Sequence, residues 1–405
     1  MKSLLSFFFA LLLAYPVFGQ KKDISQARSY IKSRSNLDKA ESLMLDLLKD
    51  SANRQNIKIY LTLAEAVRAQ YDAANEKLYL KEKADTGQFF LTARKMFLVY
   101  EKLDSLDMQP DKKGNVKPKF RKKNAEYLNK FRSNLYSGGI FFIKKKDYDS
   151  AFGLMDTYID CRRQPLFSEY TNENTDSLYA PAAFRAVFCG HKLGRPDSIL
   201  KYSEIALKSR KYRRRTLVYM SRAYLAKKDT VKYVEILRKG FAENKTSKYF
   251  FTRLMDYYNG LNLLDSAMNV VNAALEQDKD NTLFLFAKSN MLLNMGRYEE
   301  CISISDTLLA RNDTLPDVYL NAGVSYINLA LAEEASIKKN KNRTAVKKKQ
   351  VLNYYKKALP YMEKYRALAP EDKERWAPSL YNIYLKLNMG RKFEEISDIL
   401  RKMRN

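Results

Sequence analysis

The stretch that decides the fold reads LLNMGRYEEC, residues 292–301, and it is followed by YLNAGVSY, residues 319–326. The first stretch ends one apolar pattern near Leu293, turns at Gly296, and begins a new pattern at Tyr298. In the second stretch, apolar and small residues recur at spacings of three and four, which is the period of one helix face. Two helices joined by a short glycine turn are therefore predicted around residue 296.

The same pattern recurs every 34 residues without a gap. In each repeat, a first helix (helix A) has apolar or small residues at the fourth, eighth and eleventh places, and a second helix (helix B) begins near the twentieth. One such hairpin leaves an apolar stripe uncovered, so that the repeats must stack on their neighbours. The repeats start at Ala180, Arg214, Lys248, Thr282 and Pro316.

A helical hairpin of this length, with small residues at its eighth and twentieth places, resembles the tetratricopeptide repeat. The resemblance is clearest in residues 292–301 and 319–326 and covers the five repeats directly. It implies an all-α, right-handed α-solenoid of about nine helix-turn-helix hairpins with a concave inner groove that binds a peptide or protein segment. Met255 and Tyr233 are larger than the glycine or alanine that the family prefers, so we expect their repeats to splay slightly.

Apolar stripes on both sides of the five repeats extend the array and define the expected domain limits. In the last hairpin, Pro378 is expected in the first turn of its helix, where proline is tolerated. We expect a signal peptide at 1–19, N-terminal hairpins with an insertion at 20–107, a basic linker at 108–123, a hairpin with an extended loop at 124–179, the array in register at 180–372 with a basic insertion at about 331–352, and a C-terminal capping hairpin at 373–405.

The N-terminus has the three parts of a secretory signal. Lys2 is positive, residues 4–14 are apolar, and small residues precede an expected cleavage site between Gly19 and Gln20. The apolar run is shorter than the roughly 20 residues of a transmembrane helix, and no cysteine follows it for a lipid anchor. We therefore expect an exported protein of the periplasm or outer membrane that is not a lipoprotein and has no transmembrane helix after processing.

Residue types offer little for catalysis. The one histidine, His191, is expected in a solvent-facing turn after helix A. The sequence contains no nucleophile elbow, phosphate-binding loop or metal-binding histidine pair. Cys301 occupies a small packing place, whereas a disulfide between Cys161 and Cys189 is left open by the sequence. No enzymatic activity, cofactor or metal is expected.

Candidate partner-binding residues are aromatic or basic. The net charge of +27 favours anionic partners, and tyrosines at the eleventh place, Tyr224, Tyr258 and Tyr326, are expected to line the groove. Two basic runs lie in predicted insertions, and a third patch at residues 210–215 is expected at a turn between repeats. The basic candidates are Lys112, Lys113, Arg121, Lys122, Lys123, Lys338, Lys339, Lys347, Lys348 and Lys349.

Two functional hypotheses follow. The first is a non-enzymatic scaffold of the bacterial cell envelope that binds a protein or peptide partner, of unknown identity, in its groove. The alternative is binding of anionic envelope polymers or lipids through the basic insertions, which salt would weaken steeply. Nucleic acid is not expected, because an exported chain without a recognised nucleic-acid motif has no access to it. The basic runs also fit a third reading, as solvated loops that keep the protein soluble.

Processing of the N-terminus is directly testable. We expect mass spectrometry of protein from the cell envelope to find Gln20 as the first residue, because a signal peptidase cleaves after small residues that follow an apolar run. The variant Leu12→Arg, which interrupts that run, should remain unprocessed. An envelope protein that retains Met1 and Lys2 would contradict this prediction.

Overall fold

The computed structural model describes residues 19–110, 113–170, 176–339 and 344–404. Regular structure in these residues is helical, and none of them lies in a strand. The chain divides into two compact units, Met1–Ile236 and Leu237–Asn405. Within each unit, consecutive helices are joined by short turns and pack on one another, which confirms the all-α class of stacked helical hairpins.

The first unit begins with α1 at residues 19–32. It includes a short helix, α5, that the sequence did not predict and that takes up the end of the expected basic linker. Its further helices are α2 (Leu37–Leu47), α3 (Ile57–Tyr79), α4 (Thr86–Asp107), α5 (Arg121–Asn129), α6 (Arg132–Lys145), α7 (Tyr148–Asp160), α8 (Tyr179–Lys192), α9 (Pro196–Leu207) and α10 (Arg210–Ala226).

The helix that follows, α11 (Thr230–Glu243), contains the boundary between the two units. Among the described residues, none of the helices is both long and apolar enough to cross a bilayer. The second unit then contains α12 (Lys248–Gly260), α13 (Leu264–Leu275), α14 (Thr282–Asn294), α15 (Tyr298–Arg311), α16 (Pro316–Lys339), α17 (Thr344–Leu368), α18 (Lys373–Lys386) and α19 (Gly390–Arg404).

The 34-residue register is visible in the helix ends. Helix A begins at the predicted residue in α12, α14 and α16, whereas α10 begins at Arg210, ahead of the expected Arg214. The start of helix B follows the 34-residue interval at Pro196, Thr230, Leu264 and Tyr298.

Each turn between helix A and helix B contains one residue in the left-handed conformation, also at 34-residue intervals. After this residue the backbone closes on helix A: in one turn the amide of Asp229 donates to the carbonyl of Tyr224 at 3.0 Å. Such a bond satisfies a carbonyl that the end of the helix would leave without a partner. The left-handed residues are Gly194 (φ 64°), Lys228 (φ 58°), Asn262 (φ 53°) and Gly296 (φ 73°).

Small residues allow close contact between helices. Cys301 on α15 is fully buried, and its Sγ lies 3.8 Å from the backbone oxygen of Asn321 on α16. The expectation that Cys301 fills a small packing place is confirmed. A Cβ added to Gly190 would come within 2.9 Å of the backbone of α9. Cys161 and Cys189 are both buried as free thiols, so the disulfide that the sequence left open is not formed.

The insertion in the last of the five repeats lengthens both of its helices. α16 has 24 residues and α17 has 25, against 13 in α14, which confirms the predicted extension. The expected tip, Asn340–Thr344, lies largely outside the described residues, and Thr344 already belongs to α17. The base of the extended hairpin is held by a cluster that includes Ala330, Val351 and Tyr355.

The two prolines near the C-terminus lie inside helices. Pro360 is within α17 and Pro378 within α18. The first-turn placement of Pro378 was wrong, because α18 begins at Lys373, one turn earlier than expected. Proline lacks the amide hydrogen, so the carbonyl of Glu374, four residues before Pro378, has no intrahelical donor.

The left-handed turns predict the sign of a stability change. Lys228→Gly should stabilise the protein by about 1 kcal/mol, because a residue with a Cβ incurs roughly 1–2 kcal/mol in this conformation. The measurement is the urea midpoint of unfolding. Gly194→Lys, the same exchange in reverse one repeat earlier, is the matched control and should lower the midpoint. Midpoints unchanged in both variants would show that these turns do not hold the observed conformation in solution.

The packing of Cys301 predicts an asymmetry between substitutions. Cys301→Trp should destabilise the protein by about 1–3 kcal/mol, because a larger side chain overpacks a closed contact. Cys301→Ala should cost less, since the place already suits a small residue. Thermal melts compare the two variants. Rapid labelling of native Cys301 by a thiol reagent would mean that the residue is exposed and the assigned register is incorrect.

Candidate partner-binding face

The three tyrosines predicted to line a groove differ in exposure. Tyr258 is only 5% exposed, and its hydroxyl accepts a hydrogen bond from Arg238 Nε at 2.8 Å. It is a core residue of the second unit, so the predicted role of its ring in binding is corrected. Tyr224 in the first unit and Tyr326 in the second remain half-buried. The ammonium of Lys232 lies 5.5 Å from the ring of Tyr224.

Two of the predicted basic residues have structural partners. Arg121 binds Asp104 with both ends of its guanidinium, at 2.8 and 2.7 Å. Lys347 connects the two long helices by donating to Ser336 at 2.8 Å and lying 3.8 Å from Glu333. Both are therefore tied into the fold. Lys113, Lys122, Lys123, Lys348 and Lys349 are exposed, Lys338 and Lys339 lie in the last turn of α16, and Lys112 lies outside the described residues.

The predicted cleavage site lies at the start of α1. Gly19 is exposed and is the first described residue. The side chain of Gln20 donates to Asn53 Oδ1 at 2.6 Å. The residue expected to begin the processed chain thus contacts the turn that precedes α3.

A surface that the sequence did not single out lies on α8 and α10 of the first unit. Side chains four and three residues apart share one face of α8, and a similar stripe runs along α10. Because these helices are the A helices of consecutive repeats, the two stripes meet. We call this surface the aromatic-arginine face; it comprises Phe184, Phe188, His191, Tyr212, Arg215, Tyr219 and Arg222.

Stacked rings form the floor of the face. The rings of Phe184 and Tyr212 lie 4.4 Å apart and nearly parallel, at 9°. His191 stacks on Tyr219 at 4.5 Å, and Phe188 reaches the same tyrosine ring at 6.5 Å. Phe184 and Tyr219 are buried, whereas the other three rings are half-buried and border the solvent. Each such ring pair contributes about 0.5–1.5 kcal/mol beyond its buried area, so the floor is preorganised.

Cations border this floor. The guanidinium of Arg215 lies 5.9 Å from the ring centre of Phe184, and Arg222 Nη1 lies 3.3 Å from Nε2 of His191. Burial, and after it the charges of Arg222 and Lys192, lower the pKa of His191 below its usual value. The imidazole is therefore neutral at pH 7 and can accept from Arg222. His191 was expected in a solvent-facing turn; it lies instead in the last turn of α8 and stacks on the next repeat.

Arg185 adds a donor beside the face. Its Nε is buried and has no hydrogen-bond partner, and its guanidinium lies 5.5 Å from the ring centre of Tyr136 on α6. A buried donor without a partner costs roughly 1–3 kcal/mol. No ion pair joins Arg185 to a carboxylate within the described residues.

The basic patch at 210–215 is helical rather than a turn, which corrects the expectation. α10 begins at Arg210, so five basic residues occupy its first two turns. The N-terminus of a helix carries a partial positive charge, which makes basic residues there unfavourable, and Ser209 makes no side-chain cap. Neither α8 nor α10 contains an acidic residue. In the described part of the chain, no ion pair forms with Arg210, Lys211, Arg214 or Arg215, all of which are exposed.

One carboxyl group outside this face is strongly perturbed. Burial, with added repulsion from Asp160 and Asp156, raises the pKa of Glu101 to about 8. Its neighbour Cys161 lies 4.0 Å away, and burial holds the pKa of that thiol well above its usual value. A protonated thiol is a poor nucleophile. Within the described ranges, no three histidine, cysteine or carboxylate side chains are grouped so as to hold a metal.

Comparison with known proteins was made by sequence and by structure. No protein-family model matches the chain, and no curated protein matches it significantly. A tetratricopeptide repeat protein from Parabacteroides merdae is 17% identical with a TM-score of 0.35, and the match covers 68% of this chain and 100% of that one. The C-terminal part of a repeat protein from Cytophaga hutchinsonii is 12% identical with a TM-score of 0.40, covering 64% and 91%. A repeat protein from Bacteroides fragilis is 16% identical with a TM-score of 0.32, covering 66% and 98%.

The repeat type rests on the geometry of the chain itself. Helix B starts at 34-residue intervals, and each intervening turn contains one left-handed residue. Small residues such as Cys301 and Gly190 occupy the contacts between helices. These features together make the chain an all-α repeat protein of the tetratricopeptide type.

Proposed function

We propose that this protein is a non-enzymatic interaction scaffold whose aromatic-arginine face binds an acidic peptide segment of a partner protein. The observation that carries the proposal is the concentration of exposed arginines, without acidic residues on α8 and α10, over a floor of stacked rings. Aromatic residues and arginine are the types that contribute most binding energy at protein interfaces.

The chemistry of the face favours carboxylates on an extended chain. A guanidinium presents several donors in one plane and binds a carboxylate with two parallel hydrogen bonds. Arg215 lies beside the rings, and the unpartnered Nε of Arg185 provides a further donor. The half-buried rings of Phe188 and Tyr212 offer apolar area between these cations. A peptide that alternates acidic and apolar residues meets both requirements.

The unfavourable placement of charge supports the same function. Each basic residue near the start of α10 opposes the helix dipole by about 0.3–1 kcal/mol. Solubility alone would be served by basic residues at any exposed position. Local rules are commonly broken at functional sites and compensated elsewhere. Binding of an anionic segment supplies that compensation here.

We further propose that the scaffold acts in the cell envelope, in the periplasm or at the outer membrane. The support is the N-terminal sequence, in which Lys2, an apolar run and Gly19 follow the order of a secretory signal. The salt response of the basic insertions belongs to a separate surface, on α17.

Charge reversal at the start of α10 separates binding from stability. Arg214→Glu with Arg215→Glu should weaken binding of a fluorescent 12-residue peptide, in which glutamate alternates with phenylalanine and leucine, by about tenfold or more, since two lost charge-assisted bonds exceed 1.4 kcal/mol. The same variant should be as stable as the original or more so, by about 0.5–1 kcal/mol, because acidic residues suit a helix N-terminus. Fluorescence anisotropy and thermal melts measure the two effects.

A matched control is available at two other helix starts. Lys248→Glu with Lys373→Glu changes the first residues of α12 and α18 and alters net charge and helix dipoles in the same way. This control should gain stability without losing affinity. If both double variants lose affinity equally, the peptide responds to net charge alone and the proposed face is refuted. Phe188→Ala should weaken binding at low and at high salt, as expected of a ring contact.

A further inference from the structure

The outer side of α17 carries lysines that follow the helical period. Lys349 and Lys356 are two turns apart with Leu352 between them, and Lys348 and Lys364 lie on either side. All four lysines are exposed. Their ammonium groups form no hydrogen bond or ion pair with any residue that the structure describes. We call these four residues with Leu352 the α17 lysine face.

The carboxylates near this face are already engaged. Glu363, the one acidic residue of α17, accepts from Lys392 at 2.5 Å and from Tyr384 at 3.1 Å. On α16, Glu333 lies 3.8 Å from Lys347, and Glu334 accepts from Lys386 at 2.7 Å. The lysines of the face are therefore left without counter-charges from the neighbouring helices.

Exposed aliphatic residues accompany the charge on the same extended hairpin. Val346 is 69% exposed, Leu352 is 43% exposed, and Leu331 on α16 is 48% exposed. Aliphatic side chains in water are unfavourable by roughly 25 cal/mol per Å² of apolar area. Their position among lysines gives the hairpin a mixed cationic and apolar surface.

We propose that the α17 lysine face docks on an anionic phospholipid bilayer. Lysine is a hydrated point charge on a flexible stem, which suits the diffuse field of a charged surface better than the paired recognition that arginine provides. At about 1.5 Å per residue, Lys348 to Lys364 spans roughly 24 Å, far longer than one headgroup. Leu352 and Val346 enter the headgroup region between the ammonium groups, while the lysine stems extend toward phosphates.

This inference stands apart from the peptide-binding proposal. The α17 lysine face belongs to the second unit, and the aromatic-arginine face belongs to the first. A failure of one therefore leaves the other intact, and each has its own probe.

The test is flotation of the full chain with vesicles of phosphatidylcholine alone or with 30% phosphatidylglycerol. Lys348→Gln, Lys349→Gln, Lys356→Gln and Lys364→Gln together should reduce partitioning onto the anionic vesicles by on the order of fivefold per lysine. The matched control, Lys239→Gln, Lys248→Gln, Lys279→Gln and Lys373→Gln, removes the same charge from exposed positions elsewhere in the unit. Every variant is made in the full chain, so the N-terminal apolar segment contributes equally.

The outcomes decide between a bilayer and other anions. Strong loss in the α17 variant, little loss in the control, and a further loss with Leu352→Ser support bilayer docking. Equal losses in the two lysine variants would overturn it in favour of net charge. Binding to soluble polyglutamate or anionic polysaccharide that depends on the four lysines but not on Leu352, without vesicle binding, would also overturn it in favour of a polymer ligand.

Discussion

The structure depends on one backbone reversal that recurs every 34 residues. A single left-handed residue ends helix A and lets the next amides close on its last carbonyls, so that helix B starts at a constant distance along the chain. This constant spacing brings small residues such as Cys301 to the same contact in each hairpin. Neighbouring A helices then present corresponding faces side by side, which is how α8 and α10 come to share one surface.

The helix α10 departs from the favourable choices made elsewhere. Its start carries five basic residues against the helix dipole, and the turn after it has Lys228 where two equivalent turns have glycine. Neither feature helps folding. Both belong to the helix that supplies Arg215, Tyr219 and Arg222 to the aromatic-arginine face. A concentration of local cost beside preorganised rings is the physical signature of a surface selected for binding.

Periodicity predicted the hairpins well because burial of an apolar stripe dictates spacing. It predicted the start of three A helices and the lengthened α16 and α17. It failed on which rings face outward: tyrosines at the eleventh place were assigned to a groove, yet Tyr258 is in the core. The better signal was the stripe Phe184, Phe188 and His191, whose spacing matches a second face of the same helix. Spacing alone does not distinguish a buried face from one that borders solvent.

Site-specific photo-crosslinking in intact cells tests the central claim most directly. A photoreactive phenylalanine analogue at Phe188 reports what contacts the aromatic-arginine face, and the same analogue at the exposed Leu261 serves as the reference. The account predicts a crosslink from position 188 to an acidic segment of a specific protein, and its loss when Arg214 and Arg215 are reversed in charge. The same crosslinked proteins at both positions, or none at position 188, would contradict it.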